Sequence, residues 1–451
     1  MMNASIFSAL PDAIAAILLS FLTSEPHVPA GAAPTAKFSA LETFEQVVAT
    51  IGESERYWSA PYILADLESK EIYVWSEHTG MLSGDPLEFF VISENSGHDY
   101  EALMVTFARP SDIHTALTKI GLSPGGPVDP DRHRFWPRGD RVSASIFYQD
   151  AEQNMPMKIP VEATCEWKGK PMPPLPWVFT GSPLLPSRGP SDDMVYAADD
   201  YAPNSIASLF NLRATVFDLP LQGSKTGVYG DFIFTPKGPS TDGHPLILHL
   251  KAADPDTYPT ETDLSLTVSP DGIALKGSGE EFSGDLADVG SFLNQRENET
   301  HFVTVSFADD LSLSEATQRA QEIQLLEKHV ESLRIEPPPT GQVFFRAFVP
   351  DPRFRIRENR PSQPLELHIN KEDTFLVELE EKWTGASRTP EVTETQVPLK
   401  TPHDLVRYVQ ENPDRPPVLF VYAPEDLTLG EMRLWTEPIL DEFPVVFVYK
   451  K

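Results

Sequence analysis

YEALMVTFARPSDIHTALTKIGL, residues 100–122, joins a strand directly to a short helix. The run ALMVTF is typical of a buried strand, and Pro110 ends it, because proline lacks the N–H that a sheet needs and suits the first turn of a helix. Three apolar residues then share one helical face: Ile113, Leu117 and Ile120. Gly121 suits a left-handed C-terminal cap. We therefore predict a helix over residues 110–121, packed on the sheet that contains residues 102–107.

Composition and charge limit the classes of partner. The 451 residues suggest about three domains. The 36 Lys and Arg residues against 67 Asp and Glu residues leave a formal charge of −31. Such a charge repels phosphate backbones and anionic lipid surfaces, so we expect no nucleic-acid partner. The 44 prolines favour edges, turns and extended connections over long helices.

The N-terminal sequence has the outline of a signal peptide. The apolar run AIAAILLSFL, residues 13–22, is followed by the small residues PAGAA, residues 29–33. This pattern predicts cleavage near residue 33 and a periplasmic or extracellular location, as for an exported bacterial protein. The run is too short to span a bilayer. Because no Lys or Arg precedes it and Pro11-Asp12 stands in place of a basic region, an amphipathic helix or a misassigned start is the alternative.

Several further elements can be predicted upstream of residue 187. A helix is expected at residues 41–52 and strands at EIYVW (71–75), LEFFVI (87–92) and RVSASIFY (141–148). The Pro-rich stretch at residues 169–186 cannot be a central strand, and only its WVFT segment is expected to pair.

The order LEFF, YEALMV, ARPSDIHTALTKIGLSPGGP and WVFTGS resembles the YdjY-domain family over roughly residues 60–220. The helix segment and WVFTGS carry the most specific part of the likeness. This resemblance implies an exported bacterial protein but no particular reaction. In the family pattern a histidine often precedes the glutamate that corresponds to Glu101, whereas this chain has Tyr100 there and His98 two residues earlier.

The C-terminal half contains an internal repeat. HPLILHLKAAD from residue 244 aligns with QPLELHINKED from residue 363, and THFVTVSFADDLSLSEA from residue 300 aligns with RPPVLFVYAPEDLTLGEM from residue 415. Helices are expected between these anchors at residues 283–295 and 401–412. This order of elements resembles the periplasmic domain of the ExbD/TolR family. Since neither copy has a membrane helix before it, the resemblance implies binding by a sheet edge or groove and not proton coupling.

The sequence therefore predicts an α+β multidomain protein. Residues 1–33 are the predicted signal peptide, and residues 38–224 are a YdjY-like, β-rich domain with a short helix packed on a sheet. Residues 225–339 and 340–451 are predicted to be two duplicated β-β-α-β-α-β two-layer domains, joined by the linker IEPPPTG at residues 335–341.

A group of N and O ligands near the strand–helix junction could hold a divalent metal ion. The candidates are His98, Glu101, Asp112 and His114, and Asp99 beside His98 is a further oxygen donor in the same stretch. The alternative is structural: His114 bonds to a backbone carbonyl, and Asp112 occupies the favourable first turn of the helix. No HExxH spacing supports the metal site, and no other cofactor is expected.

Three other residues are read as structural. Cys165, the single cysteine, rules out an intramolecular disulfide and is expected to be a buried, unreactive thiol. His249 and His368 occupy the same position in the two aligned repeat segments. Because both alternate with leucines on predicted strands, a packing role is favoured over metal ligation.

Two arginine-rich islands stand out in the acidic chain. The first contains Arg132, Arg134 and Arg138, and the second contains Arg353, Arg355 and Arg357 at alternating positions of a predicted strand. Forked guanidinium groups could hold carboxylates or phosphates of a partner protein or a glycan. The alternative is that they pair with the protein's own acidic groups.

These features predict an exported cell-envelope protein that binds or scaffolds without catalysis, and no catalytic residue is assigned. An envelope protein or a cell-wall or glycan component is the expected partner, and no integral membrane span is expected in the mature chain. The alternative is a metal-dependent envelope enzyme that uses residues 98–114.

Overall fold

The chain folds into two compact units, one up to Tyr258 and one from Pro259 onward. The computed structural model describes residues 7–28, 32–129, 136–150, 153, 155–189, 193–221, 230–235, 242–277, 279–296, 298–336, 342–346, 365–382, 391–413, 418–443 and 445–450. Both units combine strands with few helices, so the α+β class is confirmed.

The first unit contains four helices and eighteen strands in its described ranges. In chain order they are α1 (Asp12–Leu22), α2 (Lys37–Ile51), β1 (Tyr57–Ala60), β2 (Ile63–Asp66), β3 (Glu71–His78), β4 (Phe89–Ser93), β5 (Ala102–Thr106), α3 (Pro110–Lys119), β6 (Pro124–Gly126), β7 (Arg138–Gly139), β8 (Arg141–Asp150), β9 (Met155–Pro160), β10 (Cys165–Trp167), β11 (Lys170–Pro171), β12 (Trp177–Phe179), β13 (Leu184–Pro186), β14 (Met194–Tyr196), α4 (Ala197–Asp200), β15 (Ser205–Ser208), β16 (Thr215–Asp218), β17 (Phe232–Phe234) and β18 (Pro245–Ala252).

Eight strands of this unit form a closed sheet. Their order is β3, β18, β8, β12, β16, β15, β4 and β5, and β5 pairs with β3 to complete the ring. The neighbours are antiparallel except for β15 with β16 and β4 with β5, which are parallel. β2 and β1 extend the sheet from the first half of β3. The sequence predicted a sheet with a short helix packed on it. In the structure this sheet is closed into a ring of strands.

Strand β18 corrects the predicted domain boundary at residue 224. It pairs with β3 on one side and with β8 on the other, from Pro245 to Lys251 and from Leu246 to Ala252 respectively. Without β18 the ring would be open between β3 and β8. The alignment of residues 244–254 with residues 363–373 as equivalent repeat segments is therefore wrong.

The strand–helix junction of the opening stretch is confirmed. α3 begins at Pro110, and its predicted apolar face is buried in the main core of the unit: Ile113, Leu117 and Ile120. Gly121 has a φ of +95°, and the N–H of Leu122 returns to the carbonyl of Leu117 at 3.1 Å. This left-handed cap ends the helix. α3 packs against β1, β2 and β16.

Helices α1 and α2 cover the other face of the sheet. Leu18 and Phe21 of α1 are buried in a cluster with Trp75 and Phe147 of the closed sheet. The indole N–H of Trp75 donates to Thr43 of α2 at 3.0 Å. This packing favours the second interpretation of the N-terminal run, a helix that belongs to the fold. No helix within the described ranges is long and apolar enough to cross a membrane.

The second unit contains four helices and eleven strands in its described ranges. They are β19 (Thr260–Ser269), β20 (Gly272–Gly277), β21 (Glu280–Gly284), α5 (Leu286–Asn294), β22 (Glu299–Phe307), α6 (Leu313–His329), β23 (Leu333–Glu336), β24 (Gln342–Arg346), β25 (Leu365–Ile369), β26 (Thr374–Lys382), β27 (Glu391–Leu399), α7 (Pro402–Glu411), β28 (Val418–Ala423), α8 (Leu429–Thr436) and β29 (Val445–Lys450).

The two sheets of this unit have the same order of elements. The first is β21-β20-β19-β22-β23, and the second is β27-β26-β25-β28-β29 with β24 added beside β29. In both, three antiparallel strands precede a helix, a parallel strand, a second helix and a last parallel strand. The element order is β-β-β-α-β-α-β, one strand more than predicted. The strand equivalent to β25 is β19 and not β18.

Replacing Leu117 by alanine tests the packing of α3. The side chain is fully buried, so the cavity should lower the free energy of unfolding by about 2–4 kcal/mol, measured by urea denaturation. The matched control is Leu82→Ala, because Leu82 is 66% exposed. Equal effects of the two substitutions would contradict the packing.

Deleting residues 1–33 tests whether α1 is part of the fold. The deletion would uncover Trp75 and Phe147, so we expect a lower melting temperature and stronger binding of a hydrophobic dye. A cleaved signal peptide predicts the opposite result, a truncated protein that is as stable as the full chain.

Candidate functional site

The site lies where α3 meets the loop after β12, the two segments that were most specific in the sequence. The imidazole Nδ1 of His114 is 3.0 Å from the carbonyl oxygen of Gly181 and 2.8 Å from the hydroxyl of Tyr196. The His114 ring also contacts Phe179 edge to face. Gly181 has a φ of +85°, and a Cβ there would lie 2.4 Å from Pro124. Only glycine fits this position.

These contacts define the state of His114. A carbonyl oxygen only accepts hydrogen bonds, so Nδ1 must carry the proton that is shared with Gly181 and Tyr196. Nε2 then keeps its lone pair. Burial lowers the pKa of His114, although the Gly181 carbonyl acts in the opposite direction. The neutral imidazole can therefore accept one hydrogen bond or bind one ligand through Nε2.

The first turn of α3 is tied to α4. The carboxylate of Asp199 accepts from the backbone N–H of Ser111 at 2.9 Å and from its hydroxyl at 2.5 Å. On the other side, the amide of Asn204 donates to the carbonyls of Ala198 and Asp199. The positions of α3 and α4 are therefore fixed by hydrogen bonds around His114.

A two-stranded ribbon, β13 and β14, extends from this cluster. Leu184 pairs with Tyr196, and Pro186 pairs with Met194. Because directly paired residues and residues two apart project to the same side, these four side chains share one face of the ribbon. Leu184 is 61% exposed and Met194 is 57% exposed. We call this the ribbon face. Leu184 and Met194 lie diagonally across it, and Tyr196, opposite Leu184, contacts His114.

The ribbon is firmly anchored although it has only two strands. The hydroxyl of Tyr201 donates to the carbonyl of Pro186 at 2.5 Å, and the N–H of Arg188 donates to Asp200 at 2.8 Å. The guanidinium of Arg188 lies 4.2 Å above the ring of Tyr201. An isolated hairpin is marginally stable, so these contacts with α4 and the residue that follows it hold the exposed side chains in place.

The sequence did not identify the ribbon. The prediction that only WVFT pairs within residues 169–186 is wrong, because Leu184–Pro186 pairs with Met194–Tyr196. Proline is tolerated in edge strands, where its missing N–H faces away from the ladder. The available signal was the turn-rich SRGPSDD between two short apolar segments.

The four metal candidates are divided between two places. His98 Nδ1 lies 2.6 Å from a carboxylate oxygen of Glu101 across the turn before β5. Asp112 lies in the first turn of α3, as the structural alternative predicted, and burial raises its pKa. His114 bonds to Gly181, also as that alternative predicted. Within the described ranges, no three His, Cys, Asp or Glu side chains are grouped so that they could hold a metal ion.

The three residues that were interpreted as structural are packed among other side chains: Cys165, His249 and His368. Cys165 is buried, and burial raises its pKa to about 12, which disfavours the reactive thiolate. His249 lies in the closed sheet, 3.5 Å from Glu71, whereas His368 lies in the second unit. The predicted equivalence of the two histidines is therefore wrong. The ring of His368 stacks on two neighbouring aromatic rings, Phe375 and Tyr422.

The arginine islands are mostly outside the described residues. Arg138 is described, half-buried in β7 and paired in register with Gly126. The others lie outside the described ranges: Arg132, Arg134, Arg353, Arg355 and Arg357. Their docking role stays a prediction. The linker predicted at residues 335–341 is wrong at its start, because Ile335 and Glu336 belong to β23, and residues 337–341 are not described.

Part of the first unit matches a known family model. Residues 63–191 match the YdjY domain, which is less than a third of the chain and confirms the first predicted resemblance. The matched region includes α3, His114 and Gly181, and the ribbon continues just beyond it. No curated protein and no solved structure matches the chain. The ExbD/TolR resemblance therefore has no support from these comparisons.

The stability of the site should depend on pH through His114. Its pKa is lowered in the folded state, so on acidification the unfolded chain takes up the proton first, near pH 6.5, and stability is lost below that pH. Asparagine can keep the bond to Gly181 through its amide N–H but does not titrate. We expect the stability advantage of the wild type over His114→Asn to shrink by on the order of 0.5 kcal/mol between pH 7.5 and 5.5 in urea denaturation. An advantage that stays constant or grows on acidification contradicts the assignment.

Proposed function

We propose that the protein is a non-catalytic binding or scaffold protein and that the ribbon face is its binding surface. The single observation that carries this proposal is the pair of aliphatic side chains, Leu184 and Met194, more than half exposed on an anchored ribbon. Exposed apolar side chains grouped on a rigid support are typical of protein-binding sites. The expected partner is an extended protein segment with an apolar side chain, placed over Leu184 and Met194.

His114 and Tyr196 give the same surface a polar end. Tyr196 lies on the ribbon face and its hydroxyl is 2.8 Å from Nδ1 of His114, so this polar pair borders the exposed apolar side chains. A few polar groups beside an apolar surface fix the orientation of a bound segment. The metal-dependent alternative has less support, since its four candidate residues lie in two separate places.

Location and duplication are separate proposals. The proposed exported location rests on the apolar run of residues 13–22 and on the resemblance to the YdjY-domain family, whereas the packing of α1 supports retention of that run in the fold. We also propose that the second unit arose by duplication of one domain. The shared order of elements supports this, together with the constant spacing of the helix caps: Thr401 follows Asp285 by as many residues as Thr428 follows Ser312.

Photo-crosslinking tests the binding surface. A benzophenone amino acid at position 184 should crosslink a discrete partner in cells, and Met194→Ser should weaken this product because it removes half of the apolar surface. The matched control is the same probe at position 82, an equally exposed leucine position of the same unit. Identical products from positions 184 and 82, or no product from position 184, would refute the proposal.

A further inference from the structure

The second unit has two halves, one built on the sheet β21-β20-β19-β22-β23 and one on the sheet that contains β24 to β29. The two halves contact each other through a segment that is repeated in both. DLSLSEA, residues 310–316, begins α6, and DLTLGEM, residues 426–432, begins α8. The N–H of Leu313 donates to the carbonyl of Leu427 at 2.8 Å, and the N–H of Leu429 donates to the carbonyl of Leu311 at 2.9 Å. Leu427 is the counterpart of Leu311, and Leu429 is the counterpart of Leu313. Exchanging the two segments therefore converts each of these hydrogen bonds into the other.

A second pair of bonds has the same symmetry. The N–H of Ser314 donates to the carbonyl of Glu425 at 3.0 Å, and the N–H of Gly430 donates to the carbonyl of Asp309 at 2.8 Å. Ser312 and Thr428 face each other in an antiparallel bridge, which lies between the two bonds of the first pair. A contact in which residue i meets j while j meets i is isologous, the kind that joins identical subunits across a two-fold axis.

The segment has the chemistry for self-recognition. The first N–H groups of a helix have no partner within that helix. Here the third helical residue of each copy donates to its own cap, Glu315 to Ser312 and Glu431 to Thr428. The first and second N–H groups donate to the other copy instead. Each segment therefore carries both the donors and the acceptors that its counterpart needs.

We propose that the segments 308–316 and 424–432 are a self-recognition surface whose fitting partner is a second domain of the same kind. In this chain the duplication supplies that partner within one molecule. The inference rests on the proposed duplication. The leucines at the contact are buried in one shared core: Leu311, Leu313, Leu427 and Leu429. Because both halves contribute to this core, each half should stabilise the other.

Proline substitutions in the full-length protein test the surface. Position 313 is the first residue of α6 and position 429 the first of α8, and both follow caps with extended backbone. Proline therefore suits each helix but removes the N–H that crosses to the other copy. The controls Leu313→Ala and Leu429→Ala remove the same side chains and keep the N–H.

Hydrogen exchange gives the decisive measurement. Relative to Leu313→Ala, Leu313→Pro should speed exchange of the amides at 429 and 430 by roughly tenfold, and Leu429→Pro should do the same at 313 and 314 relative to Leu429→Ala. The double proline variant should be little worse than either single one, since the coupled contact is already lost. Effects confined to the substituted helix, or fully additive effects, overturn the proposal.

Gly430→Ala is a milder test if the proline variants do not fold. Alanine normally stabilises a helix relative to glycine. Here the added Cβ would lie 3.1 Å from the Cβ of Asp309 and 3.2 Å from its carbonyl oxygen. A lower melting temperature supports the contact, and a higher one overturns it. An experimental structure in which the halves do not superpose would instead refute the duplication and leave the measured contact standing.

Discussion

The pairing of β3 with β5 is the interaction on which the first unit depends. Ser76 to His78 pair with Thr106 to Met104, and this short ladder turns an open sheet into a ring. Closure removes two strand edges that would otherwise expose unpaired backbone groups. It also positions the site, because α3 starts only a few residues after β5 and those residues include the buried Phe107 and Ala108. The strand that closes the ring, β5, is thus joined by a short buried connection to α3, the helix that carries His114.

Local features of the sequence predicted local structure well. The start of α3 at Pro110, its cap at Gly121 and its buried face all depend on interactions within about a dozen residues. The helix predicted at residues 401–412 depends on local interactions in the same way, and Thr401 caps α7 by accepting from the N–H of Asp404. The place of β18 could not be predicted. Its apolar residues on both faces suit any central strand, and its position depends on β3 and β8, which lie far earlier in the chain.

The same distinction between local and distant interactions explains which parts of the candidate site could be predicted. His114 was identified from its helix, but its partners, Gly181 and Tyr196, are 67 and 82 positions away. The structural alternative, a histidine bonded to a carbonyl, was a local expectation and it is confirmed. The exposed ribbon depends on contacts with Asp200 and Tyr201, which no periodicity in residues 184–196 encodes. Sequence therefore located one residue of the site, and the fold supplied the surface around it.

The two units satisfy exposed backbone groups in different ways, and this difference bears on function. The first unit closes its sheet on itself. In the second, helix N–H groups that would otherwise face water are satisfied by the other half. On the ribbon, the fold holds two exposed apolar side chains, Leu184 and Met194, with dedicated polar anchors. A rigid apolar surface loses little conformational entropy when a partner covers it. Exposed apolar side chains gain no burial free energy in the free protein, and a partner that covers them would supply it, which is why we propose that the ribbon binds.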